Sequence, residues 1–334
     1  MNNFLSNFPL HRPRRLRKNR WIRSLVQETT ILPNDLIYPI FVTYDSKSSA
    51  IESMPGISRL NLEEALDRSL EARELGIHAI ALFPEVPESL KDSNGSEALN
   101  NSNIICKLVE KIKKHSPSLV IICDVALDPY TSTGHDGISK NGKILNDQTI
   151  ELLCEQALIN AKAGCDIVAP SDMMDGRIEK IRKYLDKHNM QETLIMSYAI
   201  KYSSSMYGPF RDAVSASNNL GLDKKQTYQM QYNNIEEALR EASLDIKEGA
   251  DILLVKPGIM YLDVLKEVKN KFKYPTFSYQ VSGEYSMLKN SILSGVFNEE
   301  DILMETAACF KRAGADAIIS YFAMDLAKIL KKGI

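Results

Sequence analysis

GADILLVKP, residues 249–257, sets four consecutive aliphatic side chains between an aspartate and a lysine. A strand with one wet face alternates apolar and polar residues, whereas a run this uniform is covered on both faces, as in parallel sheets. The segment before it, NNIEEALREASLDIKEG (233–249), has helical spacing, and Gly249 suits the left-handed position just past a helix end. The same join of glycine, small residue, aspartate and apolar run recurs at Gly164-Cys165-Asp166 and Gly314-Ala315-Asp316.

Working outward, seven further runs read as buried strands: LIYPIFV (36–42), IHAIALFP (77–84), SLVIICDVAL (118–127), CDIVAPS (165–171), TLIMSYAI (193–200), TFSYQVSG (276–283) and ADAIISYFA (315–323). Helical segments separate them, among them 61–76, 146–164 and 298–314, with Asn61, Asn146 and Asn298 as expected N-caps and Gly76, Gly164 and Gly314 at their ends. Eight strand–helix units, with no GxGxxG after the first strand, predict an α/β fold of the (β/α)8 TIM-barrel class rather than an open doubly wound sheet. The barrel is expected over 36–334. Residues 1–35, basic and carrying Trp21, Ile22, Leu25 and Val26, are expected to form an N-terminal arm that contacts another subunit, against the alternative of a solvated tail.

The 41 basic and 43 acidic residues leave a formal charge of -2, which gives no drive toward nucleic acid or an anionic membrane. Cys106, Cys123, Cys154, Cys165 and Cys309 are odd in number and lack CxxC spacing, so reduced thiols in a cytoplasmic protein are expected. No run reaches the ~20 apolar residues of a membrane span, and the N-terminus lacks the apolar core of a signal peptide.

In this fold class catalytic residues come from the C-terminal ends of strands. Lys201 closes the fifth run and Lys256 the sixth. An amine desolvated among apolar groups loses its proton more readily and becomes a nucleophile for carbonyl carbon. One such lysine more often snorkels or pairs with a carboxylate; two on adjacent strands point to two carbonyl substrates, each held as an imine. The segment 202–230 is long for a connection and reads as a lid, with Arg211 and Lys225 placed to meet a substrate carboxylate. Ser282 and Tyr321 end the seventh and eighth runs, and Ser171, Asp172 and Asp175 line the fourth. The third run ends in CDVALDPYTSTGHDG (123–137), where Asp124 would relay a proton beside the lysines and Asp128, His135 and Asp136 crowd the rim as a polar lid or hard-ligand site.

Together MSYAIKYSSSMYGPFRDA, DILLVKPGIMYLD, APSDMMDGR, YQVSGEY and DVALDPYTSTGHDG resemble the porphobilinogen synthase (5-aminolevulinate dehydratase) family over nearly the whole chain. The resemblance implies a hydro-lyase that joins two 5-aminolevulinate molecules into porphobilinogen for haem and other tetrapyrroles, usually as a homo-octamer and without an organic cofactor. It implies that Lys256 forms the imine with the substrate supplying the propionate side and Lys201 with the one supplying the acetate side. Ser282 and Tyr321 would bind the first carboxylate, Arg211, Lys225 and Gln229 the second, and Asp124 and Ser171 would line the site near the second amine. Many members carry arginine where Lys225 stands.

Zinc-dependent members hold three cysteines where this chain has Ala126, Asp128 and Asp136; Cys123 is not one of those positions. The resemblance is therefore to a zinc-independent branch, with Asp128 and Asp136 as possible ligands of another ion and Glu241 matching a residue that holds an activating, allosteric Mg²⁺. A class I aldolase would use one lysine only, and a metallohydrolase would need convergent histidines, whereas His78, His115 and His188 lie in helical or connecting stretches. The alternative of another class is a non-catalytic barrel kept as an assembly or haem-binding protein.

Overall fold

The computed structural model describes residues 8–215 and 225–332. Eight parallel strands close on themselves: β1 (Leu36–Thr43), β2 (Ala79–Glu85), β3 (Val120–Val125), β4 (Ile167–Pro170), β5 (Leu194–Lys201), β6 (Ile252–Lys256), β7 (Thr276–Gln280) and β8 (Ile318–Ser320). Each pairs with its sequence neighbour, and β8 returns to β1 through Leu36↔Ile318 and Ile37↔Ile319. The (β/α)8 barrel expected from the apolar runs is the fold. Every residue of β1 and of β6 is buried, as their lack of alternation requires.

The outer helices are α1 (Leu62–Glu74), α2 (Ile104–His115), α3 (Asn146–Ala163), α4 (Arg177–Lys187), α5 (Glu236–Glu248), α6 (Leu262–Phe272), α7 (Glu299–Ala313) and α8 (Ala323–Lys332). α2 shows why they pack: Ile105, Leu108, Val109 and Ile112 fall on one face and are buried, each contributing about 1.5–3 kcal/mol. Asn61 and Asn298 cap α1 and α7 by accepting backbone N–H groups, and Gly164, Gly249 and Gly314 take left-handed φ at the ends of α3, α5 and α7. Asn146 is a correction. It is the first residue of α3 rather than its cap, because its side-chain amide instead pairs reciprocally with the backbone of Asp175.

The recurring aspartate has a structural reason. Asp166, Asp251 and Asp316 each accept, at 2.7 Å, the N–H near the start of the preceding strand, at Ile121, Ile195 and Thr276. Each carboxylate thus closes the floor of the barrel where two neighbouring strands begin.

The eighth run is shorter than expected, since the chain turns at Tyr321 and enters α8. Two short strands, Ser49–Ala50 and Ser58–Leu60, extend the sheet beside β1. From the second, Arg59 donates to the carbonyls of Asp212 and Ala213 at 2.6 and 2.8 Å, fixing the short helix Gly208–Ala213 over the barrel mouth. Of the lid expected over 202–230, residues 216–224 lie outside the described residues. Residues 8–35 include two short helices, Pro13–Arg17 and Arg20–Leu25, and leave Trp21 76 % and Leu25 84 % exposed. No described helix is long and apolar enough to cross a membrane.

Candidate active site

Lys201 and Lys256 are the last residues of β5 and β6 and are register partners. Equal register on adjacent parallel strands sends both side chains to the C-terminal mouth of the barrel. Both are buried.

The Lys256 Nζ sits among four rings, 4.9 Å from the centroid of Tyr279, 5.0 Å from Phe210, 5.1 Å from Tyr198 and 5.2 Å from Tyr207. Burial among these rings, with the nearby Lys201 charge, pushes its amine down to about 7, against the pull of Asp124, Asp128 and Asp136. A large fraction is therefore a free nucleophile at neutral pH. The four π-faces would in turn favour the positive charge of an iminium formed there.

Lys201 is held differently. Its Nζ donates to Asp136 Oδ1 at 3.0 Å and to the carbonyl of Ser171. Asp136 also receives Lys225 Nζ at 2.7 Å and the Tyr228 hydroxyl at 2.7 Å on Oδ2, while Lys225 reaches Asp128 at 2.8 Å. Burial works to raise the Asp136 carboxyl, but Lys201, Lys225 and Tyr228 outweigh it and hold the group well below the usual carboxylate range. Asp128 and Asp136, weighed in the sequence as metal ligands, thus meet ammonium groups. Among the described residues no three His, Cys, Asp or Glu side chains are arranged to hold a metal ion.

Asp124, the penultimate residue of β3, is half-buried, with its Oδ1 shielded from solvent and unpartnered among the described residues. Burial and the charge of Asp128 raise its carboxyl to about 7, opposed by both lysines and the Ser171 hydroxyl. It can give or take a proton at neutral pH. Gln229 Oε1 is likewise buried and unpartnered.

Ser282 opens the helix Ser282–Leu293, accepting from Phe210 N at 2.9 Å, and Tyr321 is bonded to Tyr279 through their hydroxyls at 2.9 Å. These two groups ring the Lys256 cage. Arg211 lines a neighbouring cavity of about 420 Å³ with Gln226 and Tyr261. Glu241, half-buried on α5, lines another of about 380 Å³ with Asp175, Glu237, Tyr228 and Gln229. Burial and the carboxylates of Asp245, Asp175 and Glu237 raise its carboxyl, opposed by Arg177.

Sequence reasoning missed the cage and Tyr228. The cage draws on β5, β7 and the segment after β5, so no local spacing announces it. Tyr228 carries one weak signal, its place one residue before Gln229 in the lid.

A closed parallel barrel that seats two buried lysines side by side at its mouth, one of them deprotonated near neutrality, defines a carbonyl-condensing enzyme of the imine-forming type. The family model described as delta-aminolevulinic acid dehydratase matches residues 10–329, and the chain belongs to that family. It is 50 % identical over 321 residues to the delta-aminolevulinic acid dehydratase of Bradyrhizobium diazoefficiens, spanning 96 % of this chain and 91 % of that one. With the enzyme of the same name from Chlamydia pneumoniae it shares 47 % over 323 residues, 96 % of this chain and 97 % of the other. Among solved structures, the Toxoplasma gondii delta-aminolevulinic acid dehydratase (porphobilinogen synthase), in complex with the reaction product porphobilinogen, superposes with a TM-score of 0.95 at 47 % identity, covering 97 % of this chain and 92 % of that one.

Proposed function

We propose that this chain is a porphobilinogen synthase, condensing two 5-aminolevulinate molecules into porphobilinogen with loss of two waters. The observation that carries the reading is the register pairing of Lys201 and Lys256, with Lys256 brought to about 7. Its free amine adds to the ketone of the first substrate, and loss of water leaves an iminium inside the aromatic cage. Ser282 and Tyr321 hold that substrate's carboxylate. Lys201, oriented by Asp136 and the Ser171 carbonyl, binds the second ketone, whose carboxylate is met by Arg211, Lys225 and Gln229.

For that to happen Lys225 exchanges Asp128 or Asp136 for the substrate, trading one carboxylate partner for another. An enamine from one imine then attacks the other substrate to form the carbon–carbon bond. The lysine amine on the attacked carbon leaves by elimination, the free amino group closes the ring by displacing the other lysine, and a final proton loss gives the aromatic pyrrole. Asp124, poised near 7 beside both lysines, suits the proton transfers. A non-catalytic haem-binding or assembly role gives no reason to bury two amines together.

We assign the chain to the zinc-independent branch, because Ala126, Asp128 and Asp136 offer no thiolate. For an allosteric Mg²⁺, Glu241 would supply a single carboxylate in a cavity that Asp175 and Glu237 also line, and such an ion keeps several of its waters rather than needing a preformed cluster of three acids. The exposed Phe8, Leu10, Trp21 and Leu25 support an arm that packs on a neighbouring subunit in a homo-oligomer, while the octamer rests on the family resemblance and the cytoplasmic location on the unpaired cysteines. Incubation of the purified protein with 5-aminolevulinate tests the reading. One pyrrole should appear per two molecules consumed; absence of both consumption and pyrrole contradicts it.

A further inference from the structure

Glu284 is fully buried in the first turn of the helix Ser282–Leu293, and its carboxylate spends all its capacity on backbone. Oε1 accepts the N–H of Ile259 at 2.6 Å and of Met260 at 3.4 Å; Oε2 accepts Val281 N at 2.9 Å and Gly258 N at 3.3 Å. Three of these donors belong to the loop that leaves β6 directly after Lys256. The fourth lies one residue before Ser282.

A single side chain therefore ties the strand end bearing the imine-forming amine to the helix start bearing the carboxylate-binding hydroxyl. The joint has little slack. A Cβ on Gly258 would come within 2.8 Å of the Tyr279 carbonyl and closer still to the Phe310 ring, and one on Gly283 within 2.5 Å of the Met206 carbonyl. The Lys256 carbonyl is itself held by Tyr202 N at 3.0 Å and the Tyr207 hydroxyl at 3.1 Å. Backbone packed this closely cannot drift to suit a longer ligand without breaking the Glu284 bonds.

A keto acid captured at Lys256 is held at two points, its ketone carbon by the amine and its carboxylate by Ser282 and Tyr321. The distance between those points decides how many carbons fit between the two groups. We propose that Glu284 is a positioning residue that fixes the spacing of Lys256 and Ser282, and that the enzyme thereby measures the chain length of its keto-acid substrate. The inference rests on the proposed function, in which Lys256 forms an imine with a 4-oxo acid.

The test compares full-length wild type, Glu284→Gln and Glu284→Asp, each checked for fold by circular dichroism and melting temperature. Each is treated with borohydride and either 4-oxopentanoate or 5-oxohexanoate, which is one methylene longer, and the adduct on Lys256 is quantified by peptide mass mapping. One misfitted methylene is worth roughly tenfold or more in such a site, so wild type should trap the shorter acid about tenfold faster. Gln replaces two of the four acceptor positions with donors, and Asp pulls the carboxylate back by one carbon. In both variants the preference should fall to about threefold or less, while near-native melting is kept in at least the Asp variant. A folded variant that keeps the wild-type preference overturns the proposal, as does loss of fold in both, which would make Glu284 part of the scaffold only. If wild type traps neither acid on Lys256, the functional reading fails instead.

Discussion

Lys201 and Lys256 stand opposite one another as partners across the pairing of β5 and β6, and after burial the charge on the first does most to depress the proton affinity of the second. Lys256 attacks as its free amine, the form populated above its folded value of about 7. Imine formation at low substrate should therefore rise with pH through a midpoint near 7 and level above it, read as the pH profile of kcat/KM. Asp124 titrates in the same range, so the midpoint belongs to the coupled set. Lys201→Gln removes the repulsion and leaves the Asp136 charge less compensated, both of which favour the ammonium. The midpoint for trapping at Lys256 should move up in that variant; a midpoint that stays or falls contradicts the electrostatic account.

Asp136 bridges Lys201 and Lys225 with neither oxygen exposed. Asp136→Asn leaves two buried ammonium groups short of a counter-charge, and breaking such a set costs about 3 kcal/mol or more. A lower melting temperature at pH 7 is the expected result. The carboxyl is held below its ordinary value, so its contribution is full above about pH 4 and is lost as pH falls through the folded value. Part of the wild-type loss of stability in acid should be missing from the variant, as measured by urea unfolding from about pH 5 down to about pH 2.

Glu241 lies outside the cage, in a cavity whose lining includes neither imine-forming lysine. Mg²⁺ should stimulate wild type after chelator treatment, and Glu241→Ala should lose that stimulation while keeping basal turnover. Isothermal titration with Mg²⁺ gives a second readout, with the heat of binding absent in the variant. Activity that vanishes with a zinc-selective chelator and returns only with zinc would contradict the branch assignment.

The barrel is legible in the sequence because burial on both faces leaves uninterrupted aliphatic runs, and because the repeated glycine–small–aspartate join marks where a helix ends and a strand floor is closed. The two lysines are legible for the same reason: each is a charge at the end of a run that otherwise excludes charge. What the sequence does not disclose is who answers whom. Asp128 and Asp136 look like hard ligands when read along the chain, yet across the fold they meet Lys225 and Lys201, and Tyr228 enters their network from 92 residues away in sequence. The cage around Lys256 is assembled from separate elements, and Glu284 acts only through backbone groups that carry no residue identity. Asn146 fails as a cap because a tertiary partner, the Asp175 backbone, wins its side chain.

Borohydride trapping with 5-aminolevulinate, followed by peptide mass mapping, tests the central claim most directly. The account predicts a stable adduct on Lys256 first, a second on Lys201 at higher substrate, and none on Lys256 in Lys256→Ala, with turnover falling by roughly a thousandfold or more. Substrate turnover with neither Lys201 nor Lys256 labelled would contradict it.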